Sequence, residues 1–202
     1  MMRGVRAVTL SALVAVAAVV PATGQQFTSQ GFTFLKAVKD RDGTKVTEAL
    51  NTPGTTVITT RDDDGQNALH IVAKRRDLAW LQFMLAKGAP MDARDKNGDT
   101  PLMAATRIGF VEGEQQLLDV GAQVDLANNR GETPLIVATE ARDLASVRVL
   151  LAHGADPRLQ DHVAGLSAMD YAKRDNRAAP ILKLLQEVKP AAKKQVSGPT
   201  LN

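Results

Sequence analysis

The chain has 202 residues, no cysteine, and 3% aromatic against 44% hydrophobic residues. This composition excludes disulfides, thiolate nucleophiles and cysteine-based metal sites. It favours close-packed Leu/Ala/Val helices over a sandwich or barrel, which draws on aromatic and β-branched residues. The formal charge of +3 sits at the ends: without Arg3, Arg6, Lys189, Lys193 and Lys194, 20 basic residues (25 − 5) oppose 22 acidic ones. The middle is then near −2 and offers no basic footprint for nucleic acid.

Residues 1–24 are expected to be a signal peptide. Arg3 and Arg6 precede residues 7–20, which are apolar and uncharged, and Pro21, Ala22 and Gly24 supply a small-residue exit. The apolar run is short of the ~20 residues that span a bilayer. Cleavage is expected near Ala22 or Gly24, with the periplasm or the exterior as destination. An uncleaved N-terminal anchor is the alternative.

Residues 25–62 are expected to form an N-terminal capping helix pair, over 34–39 and 45–50, followed by a long Thr-rich turn. Three gapless copies of one pattern follow, at 63–95, 96–128 and 129–161. Gly65, Gly98 and Gly131 recur every 33 residues, each leading into a similar run: Asn67-Ala68-Leu69-His70, Thr100-Pro101-Leu102-Met103 and Thr133-Pro134-Leu135-Ile136. Each copy then reaches Met84-Leu85, Leu117-Leu118 or Leu150-Leu151, and closes on Gly88, Gly121 or Gly154. Thr100 and Thr133 suit a helix N-cap, and the prolines suit the first helical position. Asp77 and Asp143 stand where second helices start, and the closing glycines suit a left-handed C-terminus.

A weaker copy over 162–188, entered through Gly165 after a one-residue insertion, reads as a C-terminal capping repeat, since terminal repeats expose one face to water. Residues 189–202 have too little apolar content to fold and are expected to be a disordered tail.

The motif Gly-x-Thr-Pro-Leu-His-x-Ala with a later Leu-Leu-x-x-Gly-Ala resembles the ankyrin repeat. The resemblance implies an all-α ankyrin-repeat solenoid of stacked helix-turn-helix units joined by β-turn finger loops. The chain departs from the family pattern in several places. Only His70 keeps the motif histidine, which in the family bonds neighbouring turns, so the junctions at Met103, Ile136 and Asp170 are expected to be looser. Arg76 and Arg142 occupy positions where the family often has glycine. Gly113 falls inside a second helix, at an expected cost of about 1 kcal/mol relative to Ala.

No catalytic constellation appears. His70, His153 and His162 are scattered, so neither a metal site nor a cofactor is expected. Asp62, Asp63 and Asp64 lack the alternating oxygens and distal Glu of a calcium loop and read as an acidic solvated turn. Trp80 reads as packed between units. The chain is therefore read as a non-enzymatic, monomeric module that binds a protein partner.

The resemblance places that partner on a concave face lined by turn tips and first helices. The candidate contacts are Asp64, Gln66, Lys74, Arg75, Lys96, Asn97, Asp99, Arg107, Ile108, Arg130, Glu132 and Glu140. Lys74, Arg75 and Arg107 form a basic group suited to acidic groups on the partner; a solvated helix end of mixed charge is the alternative. A second functional reading is an envelope-associated structural protein held by an uncleaved anchor or its basic tail.

Overall fold

The computed structural model describes residues 23–188, with side chains from residue 30 onward. The described residues hold ten α-helices and no strand. These are α1 (Thr23–Asp40), α2 (Gly43–Asn51), α3 (Ala68–Lys74), α4 (Leu78–Ala86), α5 (Pro101–Arg107), α6 (Val111–Asp119), α7 (Pro134–Glu140), α8 (Leu144–Ala152), α9 (Ala168–Arg174) and α10 (Ala179–Glu187). The expected signal peptide and tail lie outside the described residues, except that Thr23 and Gly24 begin α1. That helix starts well before the expected residue 34, and Phe34, Leu35, Ala37 and Val38 are buried apolar side chains in its second half.

Local chemistry sets the helix starts. Asn67, Thr100, Thr133 and Ser167 each hold extended backbone, and their side-chain oxygens accept the N–H three residues on. This satisfies a donor that the helix leaves unpaired. Asp77 and Asp143 cap α4 and α8 in the same way. Gly88, Gly121 and Gly154 stop the second helices with φ of 78°, 100° and 87°.

The helices stack in two rows. The first helices α1, α3, α5, α7 and α9 pack in sequence, and α4, α6, α8 and α10 form the row behind them. Leu69, Leu102 and Leu135 from the first row meet Met84, Leu117 and Leu150 from the second, all essentially inaccessible. Each such side chain contributes about 2 kcal/mol by leaving water. Ala105, Ala138 and Ala172 keep the first row close. Trp80 is half-buried against this core and meets Phe83 edge-on at 6.1 Å.

The finger loops are organised by a residue that the motif does not include. Asp62, Asp95 and Asn128, spaced by 33, each accept backbone N–H groups two and four residues on through Oδ1. Asp62 is thus a half-buried turn former, not part of a uniformly solvated acidic turn. Asp161 does the same job for Val163, Ala164 and Leu166, which places the inserted residue between Asp161 and Gly165. Adjacent fingers are joined by backbone bonds from Lys96 to Asp64, Asn129 to Asn97 and His162 to Arg130.

Two departures from the repeat pattern have a structural cause. Arg41, Arg76 and Arg142 adopt left-handed φ of 59°, 55° and 56°, which costs about 1 kcal/mol each. All three reach across to the next unit: Arg41 to Asp77 at 3.1 Å, Arg76 to the Ile108 carbonyl, and Arg142 to Asp175 at 2.5 Å. Gly113 is buried under the Phe110 ring, and a Cβ there would lie 2.3 Å from Phe110 Cδ1. The expected cost of Gly113 is therefore tied to the packing of a buried aromatic side chain.

Candidate functional site

A groove runs between the finger loops and the first row of helices. Its central part is a hollow of about 720 Å³ lined by Lys74, finger residues 95–97 and 128–130, Arg107 of α5 and the Ile108 that follows it. A second hollow of about 850 Å³ lies nearer the N-terminus, between α1 and residues 55–64. Phe32, 72% exposed, and Leu35 line this second part. Neither residue belongs to the twelve candidates, because the N-terminal pair lacks the motif that located the others.

The polar residues of the central hollow divide into committed and uncommitted groups. Asp99 and Glu132 are 7% and 4% exposed, against the expectation of surface positions. Arg107 accounts for this: it bonds Asp99 through Nε and Nη2 at 2.8 and 3.1 Å, and Nη2 reaches Glu132 at 3.3 Å. Asn128 Nδ2 donates to the same two carboxylates at 3.0 and 2.8 Å. Burial pushes Asp99 up, but the bonds from Arg107 and Asn128 outweigh it and hold the carboxyl below its ordinary range. Its partner Arg107 is held above the usual arginine value, first by the bond to Asp99. This network spans the junction that lacks the motif histidine, so that junction is not simply looser. His70 serves the preceding junction, with Nε2 2.9 Å from the Asp99 carbonyl.

Arg75 is also committed. It donates from Nη1 to the Val38 and Lys39 carbonyls at 2.7 and 2.8 Å, which caps the end of α1, and from Nη2 to Asp77. The basic group therefore separates: Arg75 and Arg107 hold the array together, while Lys74 faces the hollow. Lys74 and Lys96 are exposed and form no ion pair among the described residues. Asp64, Asn97, Arg130 and Glu140 are exposed, and Gln66 and Ile108 are half-buried. Arg130 leans on Glu132 at 3.0 Å. Asp64 lies in the N-terminal hollow, away from the central one.

His153 ends α8, with Nδ1 2.9 Å from the Val149 carbonyl and Nε2 3.1 Å from Asp119. The Val149 carbonyl and, after it, Asp119 raise its pKa. Among the described residues no cluster of three or more His, Cys, Asp or Glu is placed to hold a metal ion, and no helix is long and apolar enough to cross a membrane.

The family description "Ankyrin repeats (3 copies)" matches residues 34–128 and 69–161, together running through more than half of the chain. An ankyrin repeat protein of Acanthamoeba polyphaga mimivirus is 38% identical over 55 residues, 27% of this chain and 8% of that protein. The matched stretch is thus a small part of that relative. The chain belongs to the ankyrin repeat family, whose members are generally non-catalytic protein–protein interaction modules.

Proposed function

We propose that this chain is a non-catalytic periplasmic module that binds one protein partner in the groove between fingers and first helices, the partner presenting acidic groups to Lys74 and Lys96. The observation that carries the reading is the division within the central hollow. Asp99, Arg107, Asn128 and Glu132 satisfy one another, while Lys74 and Lys96 stand exposed beside them and form no ion pair among the described residues. Unpaired cations on a rigid floor offer a partner charge complementarity, which acts mainly on specificity and association rate. The export reading rests on the basic start and apolar run of residues 1–20, and the protein acts as a monomer.

The test has two arms. Fractionation of cells expressing the full chain, with N-terminal sequencing, should find a soluble periplasmic product beginning after Ala22 or Gly24; a membrane-held, uncleaved product would favour the envelope-structural reading. Affinity capture from envelope extract should then compare the parent with Lys74→Glu/Lys96→Glu. Neither side chain supports the fold, so loss of one captured protein, with affinity lower by on the order of tenfold, assigns it to the groove. Equal capture by both forms rules the groove lysines out.

A further inference from the structure

Glu114 occupies a place in the repeat that is apolar elsewhere. Counting 33 residues in either direction gives Leu81 and Val147, both fully buried in the core. Glu114 is equally inaccessible, on α6 where it packs against α8. Its Oε2 has no hydrogen-bond partner, and Glu114 forms no ion pair among the described residues.

The other oxygen meets a hydroxyl that is over-subscribed. Ser146 Oγ lies 2.7 Å from Glu114 Oε1 and 3.0 Å from Asp143 Oδ2. A serine hydroxyl carries one proton, and a carboxylate only accepts. Ser146 can donate to only one of the two carboxylates, and a proton on the other carboxyl completes both bonds. Asp143 is half-buried and its Oδ1 already accepts the N–H groups of Ala145 and Ser146. Glu114 has no such compensation, so the proton belongs to Glu114. The chain then runs from Glu114 O–H to Ser146 Oγ and from Ser146 O–H to Asp143 Oδ2.

We infer that Glu114 is a protonated, neutral acid that seals the junction between α6 and α8, and that its ionisation as pH rises opens this junction while the rest of the array stays folded. The charges around it do not oppose this. Glu112 on α6 and Asp143 at the start of α8 are anions and disfavour a second negative charge. Of the cations on the packed elements, Arg76 is spent on the Ile108 carbonyl, Arg107 on Asp99 and Glu132, and His153 at the far end of α8 on Asp119. Lys87 beyond α4 lies over the Phe83 ring, and Arg148 on α8 is exposed. Consistently, burial pushes Glu114 up to about 7, with Asp143 and Glu112 adding to it and the Ser146 bond opposing.

The test uses the full chain and Glu114→Leu, which restores the residue type found at 81. Urea denaturation and amide hydrogen exchange, corrected for the intrinsic pH dependence of exchange, are measured at pH 5 and pH 8. The parent should lose stability on going to pH 8. Its amides in α6 and the first turn of α8 should open on the order of fifty-fold more often, while those of α3 and α4 stay protected. The variant should show smaller changes, those left by the His153–Asp119 pair that also bridges the ends of α6 and α8; the histidines are common to both proteins, so the difference between them reports residue 114 alone. An equal pH response in the two proteins overturns the inference. If the variant does not fold, carbon-13 titration of the parent's Glu114 carboxyl decides: a step near neutral pH supports it, and one in the ordinary carboxylate range overturns it.

Discussion

Substituting alanine for Gly113 should destabilise the protein, although glycine inside a helix is ordinarily the weaker choice. In α6 alone the change gains about 1 kcal/mol. Against this, the added methyl would sit 2.3 Å from Phe110 Cδ1 and Cε1, and Phe110 is a buried residue with little room to retreat. Overpacking of this kind costs about 1–3 kcal/mol, so a net loss of up to about 2 kcal/mol is expected. Phe110 also stands where α4 and α8 have the capping residues Asp77 and Asp143, and it makes no side-chain cap. The aromatic ring and the glycine thus form one packing unit in place of a polar cap. In a Phe110→Ala background, itself costing about 3 kcal/mol, Gly113→Ala should become stabilising by about 1 kcal/mol. The sign reversal is a coupling of about 1–3 kcal/mol, well outside additive behaviour. Urea denaturation of the four proteins followed by circular dichroism measures it. Stabilisation by Gly113→Ala in the parent, or the same effect in both backgrounds, would refute the packing explanation.

His70→Met, which copies the residue at 103, should cost about 2 kcal/mol in urea denaturation, because the buried Asp99 carbonyl and the Asn67 N–H each lose a partner. Arg142→Gly should be more stable than Arg142→Ala by about 1 kcal/mol in thermal melts, since both lose the Asp175 ion pair but only glycine relieves the left-handed backbone; equal stability would exclude the strain. Asp99 is depressed in the folded state, so its contribution is present above the ordinary 3.8 and is lost as pH falls further. Arg107→Ala should flatten the acid-unfolding profile below that value, and an unchanged profile would remove Arg107 as the cause.

The architecture was legible because the repeat writes each local device two or three times. Thr100 and Thr133, the prolines after them and the closing glycines each carry their own physical reason, and the structure uses them so. The finger residues Asp62, Asp95 and Asn128 carry the same 33-residue signal, obscured at Asp62 by the neighbouring Asp63 and Asp64 and at Asn128 by the change of residue. What the sequence hides is where a charge is used. Lys74 and Arg75 are adjacent and chemically alike, yet one faces the groove and the other caps α1. The difference is set by the proximity of the Val38 and Lys39 carbonyls, contacts some 36 residues away that no repeat register reports. Asp99 and Glu132 sit at positions where the family varies, which suggests exposure. Arg107 inverts that by drawing both carboxylates inward.

Stability in a stacked array is close to a sum of units and nearest-neighbour junctions, so the junctions decide where it opens. The first full junction is tied by His70 to the Asp99 carbonyl and by Arg61 to the Arg94 carbonyl at 2.6 Å. The last is tied by Arg142 to Asp175. The middle junction is different in kind: charged on the groove side through Asp99, Arg107 and Glu132, and acidic within the core through Glu114, Ser146 and Asp143. Its two halves respond to pH in opposite directions. Protonation of Asp99 loosens the groove side in acid, and ionisation of Glu114 loosens the core side in base, so this junction is tightest between the two titrations. A groove floor that crosses the middle junction inherits the same window, and binding there should be strongest in mildly acidic solution and weaken on both sides of it.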